Sequence, residues 1–344
     1  MILATAALLA SWAQVAPSEQ AALARTPDTR VHIAWADNGQ LFYTDPAEHA
    51  TVPVAALPGD VRPALLAGPD GLRVFAAGVS GFSVDGLSWQ LASNPTTGEV
   101  SAAGAVLAWE QDGRVRVGAY DFGPGSTPAV APGAVAWSVT GGVRVQAIAP
   151  DGAPVGEAAT VPEASGRPSV VMSAGETIVA AGDVVWRVGS PSTLELPDAS
   201  VSTLGVDARG RVWAAWSDGA RVWAARSNAA VSEFGAPVAL GALPVSSLAV
   251  NATNTAAHVL AGANGVSYLR RTLPGLTLDE RHRREIFTFS VTDAGDPVRG
   301  AVVKVGGRSG KTDRNGRVTL RVSNRKLRPT ATKQGYEKAR LTLK

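Results

Sequence analysis

The sequence predicts an all-β chain: a β-propeller of about seven blades, with six as the alternative, followed by a small β-sandwich. One hairpin motif recurs along most of the chain, which is the first observation behind this prediction. Helix signals are nearly absent, and the 344 residues include 37 Gly and 22 Pro, as expected for many short strands joined by turns. A change of charge near residue 279 divides the chain in two.

The clearest hairpin spans residues 206–227, VDARGRVWAAWSDGARVWAARS. The letters RVWAA stand at 211–215 and again at 221–225, on either side of the pair Asp218-Gly219. Asp-Gly between two β-prone runs favours a hairpin, because Gly tolerates the positive φ that the tight hairpin turns require.

Further copies of this unit end a strand in Ala-Trp and follow it with a glycine turn, at Trp35, Trp109 and Trp137 as well as Trp216. Three weaker copies have Gly where the Trp stands: Gly78, Gly182 and Gly262. The units are roughly 28 to 46 residues apart, close to the period of propeller blades. One hairpin alone buries too little to be stable, whereas radial stacking buries both faces of each sheet. The first unit begins near its second strand, so we expect ring closure to borrow a strand from the other end or from residues 17–28.

The first residues, MILATAALLASWA, are small and apolar. They are typical of the apolar core of a secretory signal, with cleavage sites at Ser11-Trp12-Ala13 or Ala22-Leu23-Ala24. The run is too short to span a bilayer, which takes about 20 apolar residues, so we expect no transmembrane span. No Lys or Arg precedes it, so either the true start lies upstream or the segment is a buried terminal element. We expect residues 1–24 to be a signal or leader, residues 25–278 the propeller, and the protein to be secreted or at the cell surface.

The chain has no cysteine, which excludes disulfides, thiolate metal sites and cysteine nucleophiles. Its four histidines, His32, His49, His258 and His282, are scattered without the paired spacing of a metal cluster. We therefore expect neither a metal site nor a cofactor.

Charge is distributed unequally. Residues 279–344 contain 17 Lys and Arg against 7 Asp and Glu, whereas the rest of the chain has 15 and 22. A basic tail domain could contact an acidic surface, such as a wall polymer or phospholipid headgroups; alternatively, Lys and Arg only keep a small β domain soluble and guard its edges. Aromatic residues are not interleaved with the basic ones, so we do not expect nucleic acid as a partner.

The tail contains the segments VRGAVVKVGG (298–307), TDRNG (312–316) and Gly335-Tyr336. These resemble the carboxypeptidase-regulatory-like, immunoglobulin-type modules of secreted bacterial proteins, which carry a V-x-G-A-x-V-x-V-x-G strand, a T-D-x-x-G turn and a late G-Y. The resemblance implies that residues 286–344 form an Ig-like β-sandwich with a spacer or adhesive role. The preceding LDERHRRE, residues 278–285, is expected to be a charged connector.

Residues 206–216 resemble the repeats of bacterial sialidase-like propellers, which have a strand, a D-x-x-G turn and a strand ending in Trp. SVDGLSW at 83–89 is similar to the Asp-box, or BNR repeat, of that superfamily, S-x-D-x-G-x-T-W, but is one residue shorter. The resemblance covers about residues 31–275. It implies that Ser83 and Asp85 brace a turn at Gly86 and that Trp89 packs between strands.

Sialidases hold the substrate carboxylate with an arginine cluster and use a tyrosine nucleophile. The F/Y-R-I-P motif of the family is missing here. Arg30, Arg62 and Arg167 stand at or just before expected inner-strand starts, where they could form an anion-binding funnel; alternatively, Arg-Pro simply opens a strand. Tyr268 is the best nucleophile candidate, although no motif singles it out.

We therefore expect an exported, non-catalytic recognition or scaffolding protein whose propeller binds a glycan or an extracellular protein. The alternative is a sialidase-like exo-glycosidase. Fold alone does not decide between them.

Overall fold

The computed structural model describes residues 12–48, 50–322 and 328–341. These residues form strands, turns and bends and contain no helix, which confirms the all-β prediction. Within the described ranges, accordingly, no helix is long and apolar enough to cross a membrane. Residues 1–11 of the expected leader, and His49, lie outside the described residues.

Residues 13–272 form seven four-stranded antiparallel sheets, numbered here in chain order. The first strand of the chain is β1 (Ala13–Ala16). Sheet 1 contains β2 (Ala21–Arg25), β3 (Val31–Asp37), β4 (Gln40–Asp45) and β5 (Ala50–Ala56). Sheet 2 contains β6 (Ala64–Gly68), β7 (Gly71–Ala76), β8 (Val79–Ser83) and β9 (Gln90–Ser93). Sheet 3 contains β10 (Val100–Ala103), β11 (Val106–Gln111), β12 (Arg114–Val117) and β13 (Tyr120–Pro124).

The remaining sheets of this region have the same order of strands. Sheet 4 contains β14 (Ser126–Ala131), β15 (Ala134–Val139), β16 (Gly142–Ile148) and β17 (Pro154–Val161). Sheet 5 contains β18 (Ser169–Ser173), β19 (Glu176–Ala181), β20 (Val184–Arg187) and β21 (Thr193–Glu195). Sheet 6 contains β22 (Val201–Val206), β23 (Val212–Ser217), β24 (Arg221–Arg226) and β25 (Val238–Ala242). Sheet 7 contains β26 (Ser247–Ala252), β27 (Ala257–Ala263), β28 (Val266–Thr272) and, as its fourth strand, β1.

The first strands of the seven sheets lie at the centre of the molecule. Each contacts the first strand of the next sheet, from β2 through β6, β10, β14, β18 and β22 to β26, and β26 contacts β2 again. The sheets are therefore arranged radially in a closed ring, which confirms the predicted β-propeller. Because both faces of a radial sheet are covered by neighbours, both are apolar.

The repeated tryptophans lie buried in the seams between neighbouring sheets. Trp35, Trp109, Trp137 and Trp216 are at most 4 % exposed, and each packs against the preceding sheet in the ring. Two of the weaker copies need a correction, because Gly78 and Gly182 lie in the turn with positive φ rather than at the tryptophan position. The turn, and not a lost side chain, therefore explains these two glycines.

The ring closes through the residues before Val31. Strand β1 pairs with β28, with Ala13 opposite Leu269, and β2 is the innermost strand of sheet 1. Residues 13–24, which we expected in the leader, thus belong to the sheets, and β2 is the strand that we alternatively expected ring closure to borrow from residues 17–28. The error has a physical reason: a run of small apolar residues suits a signal peptide and a buried strand equally well.

Side chains tie the closing seam at both ends. At one end, the Ser267 hydroxyl donates to the Ser18 carbonyl at 2.6 Å, and the Glu19 carboxylate accepts from the Gly265 amide at 2.5 Å. At the other end, Arg25 Nε donates to Asn251 Oδ1 at 2.9 Å, and Arg25 also contacts His258 Nδ1. Sheets 1 and 7 are thus joined by hydrogen bonds in addition to apolar packing.

The C-terminal residues form two further four-stranded sheets that share one apolar core. Sheet 8 contains β29 (Thr277–Arg283), β30 (Ile286–Asp293), β31 (Asp296–Pro297) and β34 (Arg317–Arg321). Sheet 9 contains β32 (Val302–Val305), β33 (Arg308–Lys311), β35 (Thr330–Thr332) and β36 (Ala339–Arg340). The expected connector at 278–285 is largely strand β29, which pairs with β30 along its whole length. The prediction of a connector was wrong because β29 is an exposed edge strand, and charged residues on such a strand protect its edge.

An ion-pair cluster joins sheet 6 to the C-terminal sheets. The buried Asp293 carboxylate accepts from Arg211 Nη1 at 2.9 Å and contacts Arg226. Arg211 also donates to Asp296 at 2.8 Å, and the Arg226 guanidinium lies 5.8 Å from the ring centre of Tyr336. A buried charge that loses its partner is strongly destabilising. Because a shift of the C-terminal sheets against sheet 6 would separate these pairs, the cluster fixes how the two parts of the chain contact each other.

Replacing Trp12 by Ala should weaken the closed ring. Trp12 is 6 % exposed and lies in the core between sheets 6 and 7. Ala261, which sheet 7 contributes to this core from β27, is small, and the indole of Trp12 fills the remaining space. The lost contacts and the resulting cavity should lower the free energy of unfolding by about 3–5 kcal/mol, measured by urea unfolding. Leu87→Ala, at a side chain that is 55 % exposed, is the control and should change it by less than about 0.5 kcal/mol. Equal stabilities of the two variants would contradict the role assigned to Trp12.

Stability should fall on acidification because of His258. Burial, with Arg25 and Arg271 nearby, lowers the pKa of His258 to about 4, whereas a histidine in the unfolded chain has a pKa of about 6.5. Between these values only the unfolded chain binds the proton, so the free energy of unfolding decreases as pH falls from about 6.5 to about 4. His258→Gln retains an acceptor for Arg25 and should flatten this decrease, measured by urea unfolding at several pH values. An identical pH slope in both proteins would rule His258 out as its source.

Candidate functional site

The innermost strands enclose a cavity of about 210 Å³ on the axis of the ring, to which all seven sheets contribute residues. Most of its wall is small or apolar, with residues such as Ala64, Ala129 and Ala249. The charged residues in the wall are Arg62 and Arg167. Their positive charges therefore set the chemistry of this channel.

Local sequence places both arginines at the same end of the channel. Each precedes a proline, and an innermost strand begins one residue later, β6 at Ala64 and β18 at Ser169. Proline at this position costs no ladder hydrogen bond. Since every sheet begins with its innermost strand and continues as a meander, these strands run in the same direction. We call the end where they start the arginine end.

Arg62 is held by neutral acceptors from two other sheets. Its Nε donates to the Ala21 carbonyl at 3.1 Å, and its Nη2 donates to the Leu248 carbonyl at 3.0 Å. Burial lowers the pKa of Arg62 to about 10, so the group is still a cation at neutral pH. No carboxylate pairs with Arg62 among the described residues.

Arg167 contacts the carboxylate of Glu99. Its side chain is 37 % exposed, because the open channel admits water even though protein surrounds it. Burial, and secondarily the charge of Arg62, lower the pKa of Arg167. The arginine end thus holds two guanidinium groups and one carboxylate, and this excess positive charge suits a carboxylate or another anion.

Arg30 is not at the arginine end, which corrects the prediction of a three-arginine funnel. It precedes β3, the second strand of sheet 1, because the innermost strand is β2 from the segment that we had assigned to the leader. Its Nε donates to Asp45 Oδ2 at 2.9 Å, and its Nη2 contacts Glu48. With two carboxylates as partners, Arg30 is not an anion site.

Tyr268 is also separate from the channel. It lies in β28, the third strand of sheet 7, opposite Gln14 of β1, and packs half-buried in the seam between sheets 6 and 7. It does not line the axial cavity. The structure therefore brings together only Arg62 and Arg167 of the four candidate catalytic residues.

The turn at 83–89 is braced by its own side chains. The Ser83 hydroxyl accepts from the Gly86 amide at 2.8 Å and donates to Asp85 Oδ1 at 3.1 Å. Asp85 Oδ1 in turn accepts from the amides of Leu87 and Ser88, at 2.8 and 3.0 Å. These backbone hydrogen bonds lower the pKa of the Asp85 carboxyl, so the carboxylate form stabilises the turn.

Trp89 and Gly86 connect this turn to sheet 1. Trp89 Nε1 donates to the Gly86 carbonyl at 3.1 Å, and its ring meets Tyr43 edge to face with the centres 5.4 Å apart. A Cβ at Gly86, where φ is 75°, would come within 2.6 Å of the Tyr43 ring. The turn is thus fitted closely against sheet 1.

A second cavity of about 450 Å³ lies beside this turn, between sheets 1 and 2. Its polar groups are bonded to one another: His32 Nδ1 lies 2.7 Å from Tyr43 Oη, and His32 Nε2 lies 3.0 Å from Thr26 Oγ1. Burial lowers the pKa of His32 and raises the pKa of Tyr43, so both are neutral at pH 7. Arg30 lines this cavity, but it has two carboxylate partners, Asp45 and Glu48, whereas Arg167 has one, so we take the arginine end as the candidate site.

Sequence reasoning missed Glu99, which has no motif of its own. It stands directly before the innermost strand β10, much as Arg62 and Arg167 precede β6 and β18. Once the innermost strands are known, the residues before them are the signal that would have found it.

Comparison with known proteins yields structural likeness only. No protein-family model matches the chain, and no curated protein does. The crystal structure of BBS1N in complex with ARL6DN is similar over 77 % of this chain and 97 % of that chain, with 16 % identity and a TM-score of 0.43. Sqt1 of Saccharomyces cerevisiae is similar over 77 % of this chain and 98 % of that chain, with 13 % identity and a TM-score of 0.49. Both TM-scores lie below 0.5, so the fold is assigned from the strand pairing of this chain and not from these two likenesses.

Arg62→Ala should destabilise the protein, because it removes two hydrogen bonds that link sheet 2 to sheets 1 and 7. We expect the free energy of unfolding to fall by about 2–3 kcal/mol, as for hydrogen bonds from a charged donor. Arg187→Ala is the control, since its ion pair with Glu176 is at the surface at 3.4 Å and should contribute less than about 1 kcal/mol. Urea unfolding measures both, and a smaller loss for Arg62→Ala than for Arg187→Ala would contradict the linking role.

Proposed function

We propose that this chain is an exported, non-catalytic recognition protein whose propeller binds an acidic group of a glycan or of an extracellular protein at the arginine end. In this proposal the seven sheets of residues 13–272 are seven blades. Sheets 8 and 9 are an Ig-type spacer, and the 17 Lys and Arg of residues 279–344 favour contact with an acidic surface.

The observation that carries the proposal is the unequal use of the two arginines. Arg62 is occupied by backbone carbonyls of neighbouring sheets, whereas Arg167 has one carboxylate partner and is 37 % exposed in the channel. A ligand carboxylate there would gain charge-assisted hydrogen bonds from a guanidinium already held in place. The channel volume of about 210 Å³ suits one acidic sugar residue or one acidic side chain.

The position of Tyr268 speaks against the sialidase-like alternative. A retaining mechanism needs a nucleophile and an acid/base on either side of the bond that is cleaved. Tyr268 packs between sheets 6 and 7, away from the arginine end, and Glu99 is paired with Arg167. We therefore do not expect hydrolysis of a glycoside. The experiment includes a substrate that would reveal such hydrolysis.

The test combines a glycan array rich in sialic and uronic acids, a polyglutamate probe and a fluorogenic sialoside, all with the full chain. We expect retention of an acidic glycan or of polyglutamate and no release of the fluorophore. Arg167→Gln should weaken retention at least about tenfold, the loss of one charge-assisted hydrogen bond. Tyr268→Phe should have no effect.

Arg187→Gln, which removes a surface charge of the same type, is the matched control and should bind like the unaltered protein. Unchanged retention in Arg167→Gln would overturn the proposed site. Fluorophore release that Tyr268→Phe abolishes would instead establish the glycosidase.

A further inference from the structure

The seam between sheets 2 and 3 is the least filled of the ring. Its core has three buried residues, Ala64, Val100 and Trp109, whereas the core of the next seam, between sheets 3 and 4, has eight. Two adjoining cavities of about 270 and 490 Å³ open along it and share Arg73, Phe82 and Gly104. We call this opening the 2/3 groove.

One wall of the 2/3 groove is apolar with a single cation. Leu72, Val74 and Ala76 of β7 face sheet 1, so the alternate residues Arg73 and Phe75 face sheet 3. Phe82 lies opposite Arg73 on the neighbouring strand. Arg73 is exposed and makes no hydrogen bond or ion pair with any described residue, although it lines both cavities.

The other wall combines apolar side chains with two arginines. Leu107 and Trp109 of β11 face sheet 2, and Arg116 lies opposite Trp109 on β12. Arg114 and Arg116 share one carboxylate, Asp121, at 2.9 and 3.4 Å, and Arg116 Nε is buried without a partner. Asp70 adds one more carboxylate, at the end of the smaller cavity. The walls together thus hold more guanidinium groups than carboxylates.

An edge strand borders the groove. Strand β9 is the outermost strand of sheet 2, and all four of its residues are exposed. Leu91, which lines the larger cavity, is 52 % exposed.

We infer that the 2/3 groove is a second binding site, which takes an extended peptide segment of a partner protein with alternating apolar and acidic side chains. The apolar residues cover Phe75, Phe82 and Leu107, and the acidic ones pair with Arg73, which lines both cavities. A peptide supplies both kinds of contact, whereas a sugar would leave the apolar walls without complementary surface. This site is independent of the arginine end.

The test measures fluorescence anisotropy of the full chain with a fluorescein-labelled octapeptide that alternates Leu with Asp and Glu. We expect saturable binding that Arg73→Glu weakens at least about tenfold, since the ion pair becomes a repulsion. Replacing the acids of the peptide by Lys, or its leucines by Ser, should weaken binding to a similar degree. Arg144→Glu is the matched control, because Arg144 is an exposed arginine on β16 of sheet 4, outside the groove, and should change the affinity less than about twofold.

Three outcomes would overturn the inference: no saturable binding up to about 1 mM peptide, equal binding by Arg73→Glu, or equal losses in Arg73→Glu and Arg144→Glu, which would indicate general charge attraction. Because Arg73 is exposed, its variant should keep the unfolding midpoint of the unaltered protein, which a melting curve verifies. Arg167→Gln separates this site from the proposed function. It should leave peptide binding unchanged, and a loss there would mean that the peptide occupies the channel instead.

Discussion

Strand β1 completes the last sheet of the ring and β2 begins the first, so residues 17–20 cross the seam at which the ring closes. Every other part of the propeller depends on this closure. A four-stranded sheet with two apolar faces is stable only when both faces are covered, and in a ring the last uncovered faces are those that sheets 1 and 7 present to each other. The hydrogen bonds of Arg25, Ser18 and Glu19 to sheet 7 lie at this point.

Closure also creates the candidate site. Residues that precede innermost strands are carried to one end of the axis, where they meet residues from distant parts of the sequence. Arg62 donates to Leu248, and Arg167 contacts Glu99, although neither pair is close along the chain. A cation at such a place is partly desolvated, which strengthens its attraction for an anion. The positive end of the channel is thus a product of the ring rather than of any one sheet.

The seams between sheets differ in how completely side chains fill them. Where the second strand carries Trp137 or Trp216, the seam is occupied by the indole and the aliphatic residues around it. The seam between sheets 2 and 3 also contains a tryptophan, Trp109, but arginines stand on both walls beside it, and their charged groups do not pack into a dry core. The same alternation of strand residues that builds a dry core elsewhere therefore leaves a groove here.

Contacts of the C-terminal sheets with the ring depend on charge. Asp293, buried, receives Arg211 and Arg226 of sheet 6, while Asp293 Oδ1 and Arg226 Nε have no partner in the described part of the chain. Such a cluster is costly to desolvate and contributes more to orientation than to stability. It sets the orientation of sheets 8 and 9 on sheet 6.

Much of this architecture could be predicted from short segments of the sequence. Asp218-Gly219 forms the predicted turn between β23 and β24, and Trp35, Trp109, Trp137 and Trp216 mark the second strand of sheets 1, 3, 4 and 6. Each of these features is decided within about ten residues by turn geometry and strand alternation. The Arg-Pro pairs before β6 and β18 were visible for the same reason.

Only the tertiary structure decided how distant segments meet. The pairing of Ala13 with Leu269 has no local signal, which is why most of β2 was assigned to a leader, with residues 17–28 only an alternative source of the closing strand, and why Arg30 was expected in the channel. It also placed Tyr268 in a seam away from the arginines, brought Glu99 to Arg167, and left the groove beside Arg73 open. Strand propensity acts between neighbours in sequence, whereas ring closure and the filling of seams depend on which surfaces meet after folding.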